Sequence, residues 1–557
     1  MGKKRVSTMH AKQHTLNLAA ALFLGLGLAP LIALFASSLM VNGTLSLERY
    51  QNLWSSPHLW QLFGRSLLLA GLSTLGATLL GVPLGILFSK TDFPGRSLFA
   101  ILFTLPLLLP PYFLALGWFA VLGREGLFVR LLPDNPAGQP DCTAKPTEGC
   151  WAGIVQHESI TGVFNDMLFG LPGCVVTLAT VFLPLVMLLT VVLLRTINPR
   201  MEEVARLYAP WPKVLFNITL PAILPGILFG TLLVFLLALG EFTVPMFLRY
   251  DAYPVEILIQ FSAFYDFDAA TAAAAPLAMI AFLLLLAEWC GRRYVAPDIR
   301  PTGTSLSIRL NLYKKALTIG VSVLVLVLVI LPLCSLMLSV SLADFGEAWS
   351  RGRAALGRSL LYAVIGASLL TVLGFFLGLL WRERSYCSNI AKFAAMLLLI
   401  LPGTVIGIGL IGLWNRPTTN WLYASPSILL MGYVIQYAAL SGGIIYTTLS
   451  RIPSSLEQAA AVAGAEWWRR IIFIVLPLSQ RGLLTAWLVA YLFCLRDTGL
   501  AMLVYPPGED TLPVRIFTLM ANSPFGLVAA LSALLIAAAL PPLVAFGLLL
   551  RERKRSP

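Results

Sequence analysis

The chain has 557 residues, of which 58% are hydrophobic and only 12% charged. Soluble domains carry about 25% charged residues, so the composition excludes a water-soluble globular enzyme and indicates a polytopic membrane protein. The formal charge of +13 does not point to nucleic acid. The basic residues sit in short loops and tails (Lys3, Lys4, Arg5; Arg551, Arg553, Lys554, Arg555), where they set topology and meet anionic headgroups.

An apolar stretch of about 20 residues crosses the hydrocarbon as a helix. Twelve such runs follow one another, near 17–40, 66–89, 98–121, 169–194, 222–248, 269–289, 316–341, 359–381, 393–414, 426–448, 478–504 and 525–550. The expected fold is all-α, with about twelve membrane-spanning helices. The first run is long and lacks a cleavage site, so it reads as a retained helix rather than a removable signal peptide. Between the third and fourth runs lies a loop, 122–168, rich in Pro, Gly and Asp and carrying Cys142 and Cys150. With the N-terminus inside, most of the 39 Lys and Arg residues fall on the cytoplasmic side, as the positive-inside rule requires. Both termini are then cytoplasmic and the 122–168 loop is outside, where an oxidising periplasm would join Cys142 to Cys150. Cys174, Cys290, Cys334 and Cys494 read as small packing residues of the spans.

Six runs precede a polar connection at 291–315 and six follow it, giving a first half 1–290 and a second half 316–557. Residues 64–70 read GRSLLLA and residues 357–363 read GRSLLYA, each opening the second span of its half. Residues 202–209, EEVARLYA, lead through Trp211 and Lys213 to Leu220-Pro221. Residues 457–464, EQAAAVAG, lead through Trp467, Trp468, Arg469 and Arg470 to Leu476-Pro477. From each Leu-Pro the chain runs the same distance to an acidic residue, Glu241 and Asp497. Six spans return the chain to its starting side, so the repeat is parallel, with a pseudo-twofold axis along the membrane normal.

The two cytoplasmic segments resemble the EAA loop of permeases in type I binding-protein-dependent ABC importers, a short helical elbow that docks on a separate ATPase. The second copy fits that pattern well. The first departs from it, with Val204 for the first Ala, Ala209 for Gly, and Pro210 and Pro212 after it. The resemblance implies docking roles for Glu203, Ala205, Ala209, Glu457, Gln458, Ala459, Ala460 and Gly464. Small residues there permit close helix approach, while Glu203, Arg206, Glu457, Arg469 and Arg470 supply polar contacts at the rim. It further implies two copies of a cytoplasmic ATPase, a periplasmic solute-binding protein, surrounding lipid, and a location in the bacterial inner membrane. Among importers the chain looks most like the fused ferric iron permeases, with thiamine and polyamine permeases as relatives. The segments that carry this are 66–96, 237–245 (LALGEFTVP) and 506–517 (PPGEDTLPVRIF).

No Gly-x-x-x-x-Gly-Lys-[Ser/Thr] phosphate loop occurs, so ATP is expected on the partner, with no cofactor on this chain. Four His without an HExxH pair offer no metal site, and no GxSxG offers a nucleophile. Glu241, Arg496 and Asp497 lie toward the expected outer ends of spans five and eleven. Ionisable groups there are costly and face a cavity or a partner, which makes them candidates for a pathway or gate, or else an interhelix ion pair. A secondary transporter driven by protons or sodium is the alternative class. It would share the hydropathy pattern but has no ATPase for the elbows to meet.

Overall fold

The computed structural model describes residues 2–41, 44–123, 126–128, 166–262, 267–292, 308–383 and 385–552. In chain order the principal helices are α1 (Gly2–Ser38), α2 (Pro57–Lys90), α3 (Arg96–Leu108), α4 (Pro111–Leu122), α5 (Leu171–Leu194), α6 (Pro199–Tyr208), α7 (Trp211–Leu239), α8 (Tyr253–Ser262) and α9 (Phe267–Arg292). The second half contributes α10 (Tyr313–Leu338), α11 (Leu342–Arg382), α12 (Tyr386–Ile400), α13 (Gly403–Trp414), α14 (Ser427–Leu449), α15 (Ser454–Val462), α16 (Trp467–Arg496), α17 (Leu512–Leu519) and α18 (Phe525–Glu552). A two-residue hairpin, Met40–Val41 with Thr44–Leu45, is a small exception to the expected all-α fold.

Two of the twelve expected spans are not straight. The third and ninth runs break into α3–α4 and α12–α13, bent by 102° and 107°. Proline causes both breaks, because it lacks the N–H that would continue the helix and its ring clashes with the preceding turn. Pro110 and Pro111 stand at the first, Pro402 at the second. By length and composition each bent pair is apolar enough to count as one span. Gly81 and Gly85 of α2 meet Val186 and Thr190 of α5 in ascending order, so the two helices run parallel. Gly374 and Gly378 of α11 meet Ser441 and Ile445 of α14 the same way. Parallel neighbours need an odd number of crossings between them, and between α11 and α14 the bent segment is the one candidate among the described residues.

Three helices contain a five-residue π turn immediately before a Leu-Pro pair: Leu215–Thr219, Leu326–Ile330 and Ile471–Val475. The N–H of Leu220 reaches back to the Leu215 carbonyl, and Leu476 to Ile471, five residues each. A wider turn accommodates the proline ring without ending the helix. Spans five and eleven therefore start at Trp211 and Trp467, well before the Leu-Pro pairs where hydropathy places them.

The halves interlock. The backbone of Pro30 in α1 lies where a Cβ on Gly409 of α13 would sit, 2.8 Å away, and Pro332 of α10 stands 2.6 Å from the equivalent point on Gly117 of α4. Each half's first helix thus packs on the other half's broken span, through glycines that let backbones approach closely. The same exchange appears in ion pairs: Lys12 with Glu383 at 2.5 Å and Lys314 with Asp92 at 3.3 Å. The segments 1–290 and 316–557 are thus held together by contacts in both directions.

Candidate functional site: two elbows and a central cavity

The first elbow, α6, is capped by Asn198, whose side chain accepts from the Arg200 N–H at 3.1 Å. Of its ten residues only one is buried, and that residue is Glu202. Its carboxylate meets Lys90 at 2.7 Å, the two side chains being 0% and 1% exposed, and accepts from the Thr219 hydroxyl at 2.9 Å. A buried charge survives only when paired and hydrogen-bonded, and this one receives both. The other face of α6 is bare: Val204, Leu207 and Tyr208 are exposed, the last two at 80% and 88%. Arg206 closes the elbow by stacking on Trp211 and donating to the Ala209 carbonyl.

The second elbow repeats the plan with different chemistry. Glu457 of α15 pairs with Arg382 at 2.5 Å, and Arg382 also donates to the Ile452 carbonyl. Val475 stands near the place of Thr219, so no hydroxyl joins this pair. The helix ends at Gly464, whose φ of +86° lies in the left-handed region that favours glycine. No atom lies within 4 Å of the point where its Cβ would be. Beside Lys90, the end of the linker docks on the turn after α2. Ile308 donates to the Lys90 carbonyl at 2.7 Å, and Leu310 donates to the Asp92 carboxylate at 2.9 Å. That backbone bond, together with Lys314, holds the Asp92 carboxyl below its ordinary range.

Deep in the bundle, a cavity of about 160 Å³ lies where both broken spans meet. Leu107 and Pro111 face it from one break, Leu401 and Pro402 from the other, and Glu241, Arg496 and Asp497 share its wall. Helices α7 and α16 end at Leu239 and Arg496, so both carboxylates sit in turns rather than in spans. Each carboxylate starts the next short helix. Glu241 accepts from the backbone N–H of Thr243, which opens the short helix Thr243–Phe247. Asp497 accepts from Tyr437 at 2.7 Å and from the N–H of Ala501, which opens Ala501–Val504. Arg496 forms no ion pair within 4.0 Å with either carboxylate among the described residues. It donates instead to the Leu107 carbonyl and lies over the Phe493 ring. Leu107 needs that donor, because the residues three and four positions ahead of it are both prolines without an N–H.

Residues 81–301 match the family described as binding-protein-dependent transport system inner membrane component. Among curated proteins, the chain is 22% identical over 515 residues to a putative ferric transport system permease protein FbpB 1 of Haemophilus influenzae, covering 88% of this chain and 77% of the relative. It is 22% identical over 500 residues to an Fe(3+)-transport system permease protein FbpB 2 of the same organism, covering 88% and 90%. The molybdenum transport system permease protein ModB of Escherichia coli is 32% identical over 171 residues, 30% of this chain and 63% of the relative. These matches support a fused, double-length permease of a type I ABC importer. The permease is a multi-pass inner-membrane transport component rather than an enzyme.

Within the permease, the residues singled out by sequence are sorted differently from their grouping as one docking set. Glu203, Gln458, Ala459 and Gly464 are exposed, and Ala205, Ala209 and Ala460 partly so. Glu457 is turned inward to Arg382, away from the rim assigned to it. Glu241, Arg496 and Asp497 do converge at the ends of α7 and α16, beside Phe182 of α5 and Gln436 of α14 near the middle of those two neighbouring helices. Four residues escaped sequence reading: Glu202, Lys90 and the exposed pair Leu207 and Tyr208. The last had a signal, since Val204, Leu207 and Tyr208 repeat at helical spacing beside a polar face. Cys174 and Cys494 are buried as expected, whereas Cys290 and Cys334 are exposed. Cys142 and Cys150 lie outside the described residues.

Proposed function

We propose that this permease moves ferric iron, delivered by a periplasmic binding protein, and is driven by two copies of a cytoplasmic ATPase seated on α6 and α15. One observation carries the cargo assignment. The relatives named for ferric transport align along 88% of the chain, through both halves, rather than matching a single permease domain. The chain carries no phosphate loop, so hydrolysis belongs to the partner. The distribution of Lys and Arg supports a cytoplasmic position for both termini and both elbows. The central cavity is the passage point, with Glu241, Arg496 and Asp497 arranging the two breaks around it. At about 160 Å³ it suits a small solute. The cavity carboxylates already accept backbone and tyrosine donors, which favours a structural hold on the gate over tight ligation of a passing cation.

The test is reconstitution of the permease with its ATPase and binding protein in proteoliposomes. Radiolabelled ferric iron should accumulate only with ATP, while thiamine, spermidine and molybdate should not. Uptake of one of those in place of iron would overturn the cargo assignment and leave the importer class intact.

A further inference from the structure

Each elbow is gripped by the membrane domain through its acidic side chain, and in each half the gripping partner ends the helix that carries the Gly-Arg-Ser-Leu-Leu segment. Lys90 is the last residue of α2 and Arg382 the last of α11. In α6 no other side chain is buried, and in α15 none is. A movement imposed on either elbow therefore reaches α2 or α11 through one ion pair, beside the covalent chain and its bonds from Thr219 to Glu202 and from Arg470 to the Glu457 carbonyl.

The same two helices are pinned a second time, at Arg65, 25 residues before Lys90, and at Arg358, 24 residues before Arg382. Arg65 of α2 pairs with Asp251 at 2.8 Å, and Ser66 accepts the Tyr253 N–H at 2.7 Å. Arg358 of α11 pairs with Asp510 at 2.7 Å, and Ser359 accepts the Leu512 N–H at 2.7 Å. Asp251 and Asp510 belong to the segments that come after the cavity turns at Glu241 and Asp497. The two attachments lie 25 residues apart on α2 and 24 apart on α11, about 37 and 36 Å at 1.5 Å per residue, enough to cross about 30 Å of hydrocarbon. Pro83 interrupts the α2 ladder, but Gly81 and Gly85 on either side of it are in close contact with α5, which holds the helix in line.

We propose that α2 and α11 are transmission rods, linking each elbow to the segment that shapes its half of the cavity. Lys90 with Glu202, and Arg382 with Glu457, are positioning pairs at the inner ends. Ser66 with Arg65, and Ser359 with Arg358, are the outer attachments. This rests on the reading that α6 and α15 dock on the ATPase. The first rod has the stiffer inner joint, because its pair is dry and bonded to Thr219, while the second pair is partly exposed and has no such hydroxyl. Buried pairs are poorly replaced by solvent, so the first joint cannot be exchanged for water contacts during the cycle.

The test uses the complete importer in proteoliposomes and the variant Lys90→Met with Glu202→Met. Removing both charges leaves no unpaired ion, so the fold is expected to persist. ATPase co-purification should match the parent and hydrolysis should continue. Ferric iron imported per ATP should fall about tenfold, the scale of losing one biasing contact between two states. Ser66→Ala with Arg65→Met should reproduce this from the other end, and Lys90→Arg should retain parental coupling. A parental ratio of iron to ATP in both paired variants would overturn the proposal. So would loss of the ATPase from the Lys90→Met, Glu202→Met complex, since the pair would then build the dock rather than transmit from it. If that chain does not insert, Glu202→Gln keeps the side-chain shape and is read by the same coupling ratio and the same ATPase retention. Full ATPase retention by Leu207→Asp with Tyr208→Asp would overturn the docking reading beneath the proposal, a result separate from the coupling ratio.

Discussion

Replacing Arg496 by Met isolates what its guanidinium does at the cavity. The aliphatic stem over Phe493 is kept, and the donor to Leu107 is lost. A buried acceptor left without its partner costs about 1–3 kcal/mol. Against this, an arginine within a membrane bundle is itself costly, about 2.5–3.5 kcal/mol on insertion scales, and its removal returns part of that. The two effects act on different equilibria. Relief of the buried charge is common to every conformation, so it offsets the loss in overall stability, and the melting temperature should move by only a few degrees. The bond to Leu107 joins the second half to the first half's broken span, so its loss weighs on the conformation in which they touch. A differential of about 1–3 kcal/mol changes a two-state ratio about five- to a hundredfold or more. Hydrolysis by the reconstituted importer without binding protein should therefore rise about tenfold, within that range. The double-mutant cycle with Pro111→Ala sharpens the case. Alanine supplies the N–H that Leu107 lacks, so the effect of Arg496→Met should shrink in that background. A folded Arg496→Met importer with parental basal hydrolysis, or an effect undiminished by Pro111→Ala, would refute the reasoning.

Other outcomes rest on the same geometry. Leu207→Asp with Tyr208→Asp should insert normally yet lose most ATPase co-purification, because a bare apolar face becomes charged. Reporter fusions at the C-terminus and within 135–150 should mark opposite compartments, and a shared compartment would sink the assigned topology. Alkylation followed by non-reducing mass spectrometry should recover Cys142 and Cys150 joined, whereas two free thiols would contradict the pair. Asp92 gives a pH dependence with a definite sign. Its folded pKa is lowered, first by the Leu310 N–H, so its contribution is complete above the ordinary value of about 3.9. That contribution is lost as pH falls through the lowered value. Protection of the Leu310 amide from hydrogen exchange should be flat from neutral pH down to the ordinary aspartate range and disappear below it. Asp92→Asn should remove the acid step.

Much of this permease could be read along the chain because hydrocarbon imposes a local rule: every backbone polar group must be satisfied within a helix, so spans announce themselves as apolar runs. The duplication was legible for a related reason. Arg65 and Arg358 hold the same place in GRSLLLA and GRSLLYA, and Glu241 and Asp497 each lie 20 residues beyond Pro221 and Pro477, polar landmarks in an apolar background. Proline marked the breaks at 110–111 and 402 only ambiguously, since Pro83 and Pro184 lie inside intact helices. Whether a proline bends a span depends on what receives the carbonyls it frees, and for Leu107 that is a side chain 389 residues away. Tertiary structure also decided which acid of the Glu202-Glu203 pair faces inward, because the choice rests on Lys90 from another helix. The exchange of α1 and α10 between halves was decided there too. The membrane-spanning parts of both helices are apolar all round by composition, and glycines such as Gly409 and Gly117 on their partners mark where backbones approach closely enough to pack.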